Sequence, residues 1–347
     1  MIAPQRLPLG TCAFGRAIDS YGLPLDGGPL LQGRRVALEL RSRPPNERVP
    51  VVTPFWTGVR VIDGLLTIGR GARVGIFGAP GTGKSTLIES IVEGCATDAV
   101  VVALVGERGR EAQQWTERRD PRTTIVCATS ERPARERVQG ARLAFAQAAA
   151  LCERGLQVLL VLDSLARLAA ALREIAVSAG ESVGRGGYSP SVFAQLARFV
   201  EATGAFTDGS ITLIATVLFD GDDRDPVSEA SRALLDGHIT LSLRLTERGR
   251  YPAVDVPASS SRTMDTVVMQ PHLRAARSIR GALALLDRIE EARALGIEAR
   301  GPVAAAAVAA EMRIESFLRQ ERAAWPHRAT LDELAAIATL LHDDGNS

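Results

Sequence analysis

The segment that most constrains the fold is a glycine-rich run of eight residues, Gly78-Ala79-Pro80-Gly81-Thr82-Gly83-Lys84-Ser85. It follows a short apolar run at 73–78 and opens a stretch with helical spacing that begins Lys84-Ser85-Thr86. A strand that turns through such a loop into a helix presents backbone N–H groups and the positive end of the helix dipole to an anion. The segment predicts a P-loop nucleotide triphosphate site that includes residues 78–86.

Lysine is almost absent from this sequence, which makes its one position informative. Of 41 basic residues, 40 are arginine and one is Lys84, inside the glycine-rich loop. A broad planar guanidinium does not replace a compact ammonium folded into such a loop. Lys84 is expected to reach the β- and γ-phosphates, and the Ser85 hydroxyl to bind Mg²⁺.

Apolar runs alternate with stretches of helical spacing beyond residue 73. Strands are predicted at 73–78, 99–106, 123–128, 157–163 and 210–218, and helices at 84–95, 134–154, 164–178 and 191–203. Continuous apolar strands separated by helices are typical of a mainly parallel α/β sheet that is buried on both faces. After about residue 271 the sequence is rich in Ala, Leu, Arg and Glu with helical spacing, which predicts a C-terminal helical domain.

Composition excludes several classes of protein. The formal net charge is +1, which leaves no basic surplus for binding bulk nucleic acid. Hydrophobic residues make up 46% and aromatic residues 4%, which indicates a globular chain rather than a disordered one. The apolar runs are too short to span a bilayer, so the chain is expected to be soluble.

Four further residues are candidates for the site. Asp163 ends an apolar strand and can hold Mg²⁺ through water, although an aspartate there is also a common helix N-cap. Glu107 follows another strand and can polarise a water, but the charge pattern by itself favours a solvated cluster. Tyr251, in a predicted turn, can stack on a base, and Arg262, in a predicted serine-rich loop, can act as an arginine finger. On the residues alone, a core tyrosine and a surface arginine are the favoured interpretations of these two.

Together these segments resemble the hexameric, rotary-type ATPases, and most closely the ATPase of type III secretion systems, the injectisomes. The resemblance runs from about residue 14 to residue 320, and residues 128–137 favour the injectisome branch over the flagellar one. The segments that carry it are Phe14-Gly-Arg-Ala-Ile-Asp19, Val105-Gly-Glu-Arg-Gly-Arg-Glu111, Leu162-Asp-Ser-Leu-Ala-Arg167, Gly187-Tyr-Ser-Pro-Ser-Val-Phe193, Leu235-Asp-Gly-His-Ile239 and Tyr251-Pro-Ala-Val-Asp255.

The resemblance implies a RecA-like core, ATP and Mg²⁺ as cofactors, and a role for each candidate. Glu107 would activate the hydrolytic water, with Arg108 as a supporting group in the same segment. Asp163 would coordinate Mg²⁺ through water, and Arg167 would lie close to the phosphates. Tyr251 would pack on the adenine, and Arg262 would enter the site of the neighbouring subunit.

The resemblance also implies a domain organisation. The family carries an N-terminal β-barrel, and this chain begins about where that barrel should end, so residues 1–50 are expected to be a lead-in segment. Residues 51–268 would form the ATPase domain and 269–347 the C-terminal helical domain. Two segments depart from the family pattern: an acidic loop at 220–226 that is one residue shorter than usual, and an alanine-rich stretch at 294–310.

The function implied is that of a cytoplasmic, homohexameric ATPase that hydrolyses MgATP to release chaperones and to unfold and export secreted substrates. Its expected partners are a central stalk, a peripheral stator and chaperone–effector complexes at the cytoplasmic face of the inner membrane, with no nucleic acid. The nearest alternative is a flagellar export ATPase. An RNA-directed hexameric helicase and a nucleotide-binding ring subunit without catalysis remain open, although the neutral charge opposes the first and Glu107 opposes the second.

Overall fold

The computed structural model describes residues 5–117, 120–219, 225–295 and 301–343. Within those residues it has thirteen strands and twelve α-helices. The strands are β1 (Arg6–Pro8), β2 (Ala17–Asp19), β3 (Arg35–Ala37), β4 (Pro54–Phe55), β5 (Ile68–Gly69), β6 (Arg73–Gly78), β7 (Ala99–Val105), β8 (Thr123–Ala128), β9 (Gln157–Asp163), β10 (Gly204–Ala205), β11 (Ser210–Leu218), β12 (Gly237–Leu241) and β13 (Val254–Ser261). The helices are α1 (Arg60–Leu65), α2 (Lys84–Gly94), α3 (Gly109–Glu117), α4 (Ala134–Cys152), α5 (Leu165–Ser178), α6 (Pro190–Glu201), α7 (Pro226–Leu234), α8 (Leu243–Glu247), α9 (Met264–Val267), α10 (Gln270–Ala294), α11 (Pro302–Leu318) and α12 (His327–Asp343).

The chain divides into two compact units. The first comprises Met1–Val51, Arg70–Phe77 and Thr97–Asp236, and the second comprises Val52–Gly69, Gly78–Ala96 and Gly237–Ser347. The division of the sequence at residues 50 and 268 into a lead-in segment, an ATPase domain and a helical domain stays a prediction.

The first unit is built on a mainly parallel sheet. Its strand order is β6-β11-β9-β7-β8-β2, and β10 pairs with β11 in the antiparallel sense. The neighbours β11 and β9, β9 and β7, β7 and β8, and β8 and β2 are all parallel. Every residue of β7 and β8 is buried, as expected for strands covered on both faces.

The second unit combines two strand pairs with a helical region. β12 and β13 are antiparallel with a register shift between His238 and Thr240, and β4 pairs with β5. Helices α10, α11 and α12 pack against one another and against α1, around buried side chains such as Phe317 and Ile337. The predicted C-terminal helical region is therefore confirmed.

All five predicted strands and all four predicted helices are present, with ends displaced by at most two residues. Local chemistry explains two of the differences. Ser164 caps α5 instead of belonging to it, since its Oγ accepts a hydrogen bond of 3.2 Å from the Arg167 backbone N–H. Helix α6 begins one residue earlier than predicted, at Pro190, because proline suits the first helical position.

Two predicted features fall partly beyond the structure. Residues 220–224 of the acidic segment and residues 296–300 of the alanine-rich stretch lie outside the described residues. Within the described ranges, no helix is both long enough and apolar enough to cross a bilayer.

Candidate nucleotide site

The predicted site residues fall into two groups, one in each unit. Glu107, Arg108, Asp163 and Arg167 belong to the first unit, and the glycine-rich loop, Tyr251 and Arg262 belong to the second.

In the first unit, two neighbouring strands bring the carboxylates to one edge of the sheet. β7 and β9 are parallel, and Leu104 is paired with Asp163 at their carboxyl ends. Glu107 follows β7 by two residues, so it leaves the sheet at the same edge as Asp163. Functional groups in parallel sheets concentrate at this edge, because successive crossover connections return the chain to it in the same direction.

Glu107 is buried, with 4% of its surface exposed, and its carboxylate is ion-paired with the guanidinium of Arg167. Arg167 is in the first turn of α5, which starts just after Asp163. Burial lowers the pKa of Arg167 below its usual value. The solvated-cluster interpretation is wrong for Glu107, whereas the adjacent Arg108 is exposed.

Thr216 is a residue of this site that the sequence did not reveal. It lies on β11 and is almost fully buried, with 1% of its surface exposed. Its hydroxyl donates a hydrogen bond of 2.6 Å to Oδ1 of Asp163. The bond fixes the orientation of the aspartate. The sequence carries no clear signal for it, because the same strand also contains Ser210 and Thr212.

In the second unit, the glycine-rich loop connects Gly78 to helix α2. Gly83 caps the helix with φ of 87°, a left-handed conformation that glycine adopts without strain. The ammonium of Lys84 donates hydrogen bonds of 2.8 Å to the carbonyl oxygens of Gly78 and Ala79. The Thr82 hydroxyl donates to the Ala79 carbonyl oxygen at 2.8 Å, which closes the turn.

The first turn of α2 is arranged to receive an anion. Ser85 and Thr86 are exposed there, and the helix has eleven residues. The first N–H groups of a helix have no partner within the helix, and the dipole makes this end positive. With the Lys84 ammonium, these groups can hold phosphate oxygens, and the Ser85 hydroxyl is available to a divalent cation.

Next to the loop the second unit has a cavity of about 580 Å³. Thr82, Gly83 and Thr86 line it, and so does Tyr251. The tyrosine is 51% exposed, so the core-tyrosine interpretation is wrong. The remaining lining residues are Val59, Leu87, Ser90, Leu241, Pro252, Ala253, Gln320, Glu321 and Arg322. A cavity of this size beside a phosphate loop has room for a nucleoside.

The surroundings of Arg262 differ from the prediction. The serines at 259–261 end strand β13 instead of forming a loop, and Arg262 is the exposed residue that follows. Side-chain hydrogen bonds support the strand, because the Thr240 backbone N–H donates to the Ser259 hydroxyl at 2.9 Å. An arginine just beyond a paired strand has a fixed backbone position.

The donor set suits magnesium better than a transition metal. Over the described ranges, no group of three or more His, Cys, Asp or Glu side chains could enclose a metal ion. Mg²⁺ with a nucleotide needs no such enclosure, since phosphate oxygens and water supply most of its ligands. The Ser85 hydroxyl of the second unit and the Asp163 carboxylate of the first are each oxygen ligands of the kind that Mg²⁺ takes.

Comparison with known proteins places this arrangement in a family. Residues 58–261 match the nucleotide-binding domain of the ATP synthase alpha/beta family. The type 3 secretion system ATPase of Sinorhizobium fredii (strain NBRC 101917 / NGR234) is 46% identical over 91% of this chain and 72% of its own length. The SPI-2 type 3 secretion system ATPase of Salmonella typhimurium is 43% identical over 86% of this chain and 70% of its own. The flagellum-specific ATP synthase of Salmonella typhimurium is 40% identical over 92% of this chain and 74% of its own length.

Solved structures agree with the sequence relatives. The assembled ATPase EscN of the enteropathogenic E. coli type III secretion system superimposes with a TM-score of 0.91 at 36% identity, over 96% of this chain and 83% of EscN. EscN in complex with its central stalk EscO gives a TM-score of 0.89 at the same identity and coverage. The α/β core and the C-terminal helical region are thus those of a secretion ATPase.

Proposed function

This chain belongs to the ATP synthase alpha/beta family and is homologous to the type III secretion system ATPases, and from this we propose that it powers protein export. It hydrolyses MgATP to release chaperones from secreted substrates and to unfold and export those substrates. The flagellar alternative has weaker support, because two of the secretion relatives are 46% and 43% identical to this chain, against 40% and 42% for two flagellar relatives.

The observation that carries the proposal is the pairing of a phosphate loop with a nucleoside-sized cavity in one unit. Thr82, Gly83 and Thr86 belong to both. The backbone of residues 78–83 and the Lys84 ammonium bind the phosphates, while Tyr251 stacks on the adenine in the cavity. A nucleotide is therefore held at both ends, which orients its terminal phosphoryl group for attack.

The first unit supplies the residues that act on water and on charge. Glu107 orients the attacking water and accepts its proton, and Arg108 supports it from the same segment. Arg167 fixes the Glu107 carboxylate through their ion pair and lies close to the phosphates. The buried position of Glu107 excludes bulk water from the carboxylate, which strengthens its electrostatic interactions.

The Ser85 hydroxyl and, through water, the Asp163 carboxylate would hold Mg²⁺. When bound, the ion neutralises phosphate charge during transfer. Thr216 supports this role, because its hydrogen bond to Oδ1 fixes the Asp163 carboxylate in one orientation.

The active form in this proposal is a homohexamer. Arg262 acts as the finger that reaches the site of the neighbouring subunit, and a central stalk, a peripheral stator and chaperone–effector complexes are the partners. The assembled EscN and its complex with the stalk EscO support the ring and the stalk. The ring would work in the cytoplasm at the inner face of the membrane.

The test is to replace Glu107 with glutamine and to compare nucleotide binding with turnover. Glu107→Gln should bind MgATP with the wild-type affinity and lose about 10²–10⁴-fold in turnover, because an amide does not accept the proton. Calorimetry measures the binding, and phosphate release measures the turnover.

The matched control is Glu117→Gln, which changes an exposed glutamate at the end of α3 that accepts a hydrogen bond from Gln113. It should leave both quantities unchanged. If Glu107→Gln turned over like this control, Glu107 would have no catalytic role. If the wild-type chain did not bind MgATP, the proposed function would be wrong.

A further inference from the structure

One glutamine connects the cavity wall to three other segments of the second unit. Gln320 lies two residues after the end of α11, in the segment 319–326 that joins α11 to α12 and is called the strap below. Gln320 and the next two residues line the cavity together with Tyr251. The segment between the last two helices therefore lines the same pocket as the phosphate-loop residues Thr82 and Gly83.

The side-chain amide of Gln320 is engaged on both of its ends. Its Oε1 accepts a hydrogen bond of 2.7 Å from the backbone N–H of Arg60. Its Nε2 donates to the carbonyl oxygens of Gly58 at 2.7 Å and Ala323 at 2.9 Å. Because both amide hydrogens and the oxygen have partners, the side chain is held in one orientation and does not offer these groups to a ligand.

The backbone of Gln320 forms the direct link to the aromatic wall. Its N–H donates a hydrogen bond of 2.9 Å to the carbonyl oxygen of Tyr251. The glutamine thus joins the start of α1 at one end and the Tyr251 backbone at the other. Displacing the strap would move the tyrosine, whose ring is half-exposed and has the freedom to follow its backbone.

Two more contacts hold the strap against the phosphate-loop side of the pocket. Arg322 approaches Glu89 of α2 at 3.4 Å between Nη1 and Oε2. The Trp325 backbone N–H donates at 2.9 Å to the Gly58 carbonyl oxygen, which also accepts from Gln320. Gly58 is thus a common anchor for both halves of the strap.

We propose that Gln320 is a positioning residue for the nucleotide base, which acts through the backbone of Tyr251 and the strap and not by touching the reacting atoms. The inference rests on the proposed function, since it assigns the cavity to the base of a nucleotide. The phosphate loop keeps its own hydrogen bonds whether or not Gln320 is present. Loss of the glutamine should therefore weaken recognition of the base and spare recognition of the phosphates.

The experiment compares Gln320→Ala with wild-type chain by calorimetry, using ADP and inorganic tripolyphosphate as separate probes in the presence of Mg²⁺. The variant leaves the Arg60 N–H and the Ala323 carbonyl oxygen without this partner and removes one of the two hydrogen bonds to the Gly58 carbonyl oxygen. The dissociation constant for ADP should therefore rise about tenfold. The dissociation constant for tripolyphosphate should change less than twofold. In steady state, KM for ATP should rise with kcat nearly unchanged.

The chain offers a matched control in Gln147. This buried glutamine also makes three side-chain hydrogen bonds, one from the Gly10 N–H at 2.7 Å, one to the Gly10 carbonyl oxygen at 2.9 Å and one to the Thr124 hydroxyl at 3.1 Å. It does not line the cavity. Gln147→Ala should lower Tm without raising KM. It therefore shows how far the loss of three buried glutamine hydrogen bonds affects stability without affecting nucleotide binding.

Gln320→Met keeps the side-chain length and removes the same hydrogen bonds, so it should reproduce the ADP effect even if alanine unfolds the strap. An unchanged ADP constant in both Gln320 variants would overturn the positioning role. Equal weakening of ADP and tripolyphosphate would overturn it as well. If wild-type chain bound neither probe, the proposed function itself would fail, which is a distinct result.

Discussion

Asp63 is a fully buried carboxylic acid on α1, in the second unit. It accepts hydrogen bonds from the Thr57 N–H at 2.8 Å, the Thr57 hydroxyl at 2.7 Å and the Gly58 N–H at 2.9 Å. Burial nevertheless outweighs these bonds and raises the pKa of Asp63 to about 7. One side chain thus fixes the turn that carries Gly58 and titrates near neutral pH.

The raised pKa predicts how stability depends on pH. The folded chain holds the Asp63 proton more tightly than the unfolded chain does, so its contribution is complete below about pH 4 and is lost as pH rises through about 7. The loss should be of the order of a few kcal/mol. Asp63→Asn cannot titrate. The Tm of the wild type, measured relative to that of this variant, should therefore fall steadily from pH 5 to pH 8. Parallel Tm curves would contradict the assignment.

The strands of the first unit were predictable because they are buried on both faces. β7 and β9 are continuous apolar runs, and that pattern needs no knowledge of their neighbours. The phosphate loop was predictable for a similar reason, since its glycines and Lys84 are adjacent in sequence.

Residues that depend on long-range contacts were not predictable. Thr216 meets Asp163 through a chain separation of 53 residues, and Gln320 meets Gly58 through 262. Neither has a local pattern that distinguishes it from other polar residues. The serines at the end of β13 resemble a loop in sequence, and their pairing with β12 decides the structure instead.

Two glycines in the second unit should respond to alanine in opposite ways. Gly58 has φ of 76°, and a Cβ there would approach Ala324 Cβ, Gly94 Cα and Gly94 O at 3.1 Å. Gly58→Ala should lower stability by at least about 1–2 kcal/mol from the backbone conformation alone. Gly281 is inside α10 with open space around it, so Gly281→Ala should raise stability by about 0.5–1 kcal/mol. The Tm of each variant, measured beside that of the wild type, checks the sign of each change. A Gly58→Ala variant as stable as the wild type would contradict the close packing.

In the proposed hexamer, an arginine finger supplied by a neighbouring subunit would make catalysis a property of the whole assembly. Arg262→Ala should lower turnover by about 10³–10⁵-fold, because the developing negative charge loses its counter-ion. Wild-type turnover per subunit should climb steeply with protein concentration over the range in which light scattering detects assembly. Arg274→Ala, an exposed arginine on α10, is the control. Equal turnover in the two arginine variants would contradict the role of Arg262.

The single lysine makes the phosphate loop selectively accessible to amine chemistry. Reagents that acylate primary amines find one side-chain target in the 347-residue sequence, apart from the terminal amine. Lys84 is half-buried, and its ammonium donates hydrogen bonds of 2.8 Å to two carbonyl oxygens of its own loop. Apart from the terminus, amine labelling measured by mass spectrometry therefore reports on Lys84 alone, and it follows the conformation of the phosphate loop without any engineered probe.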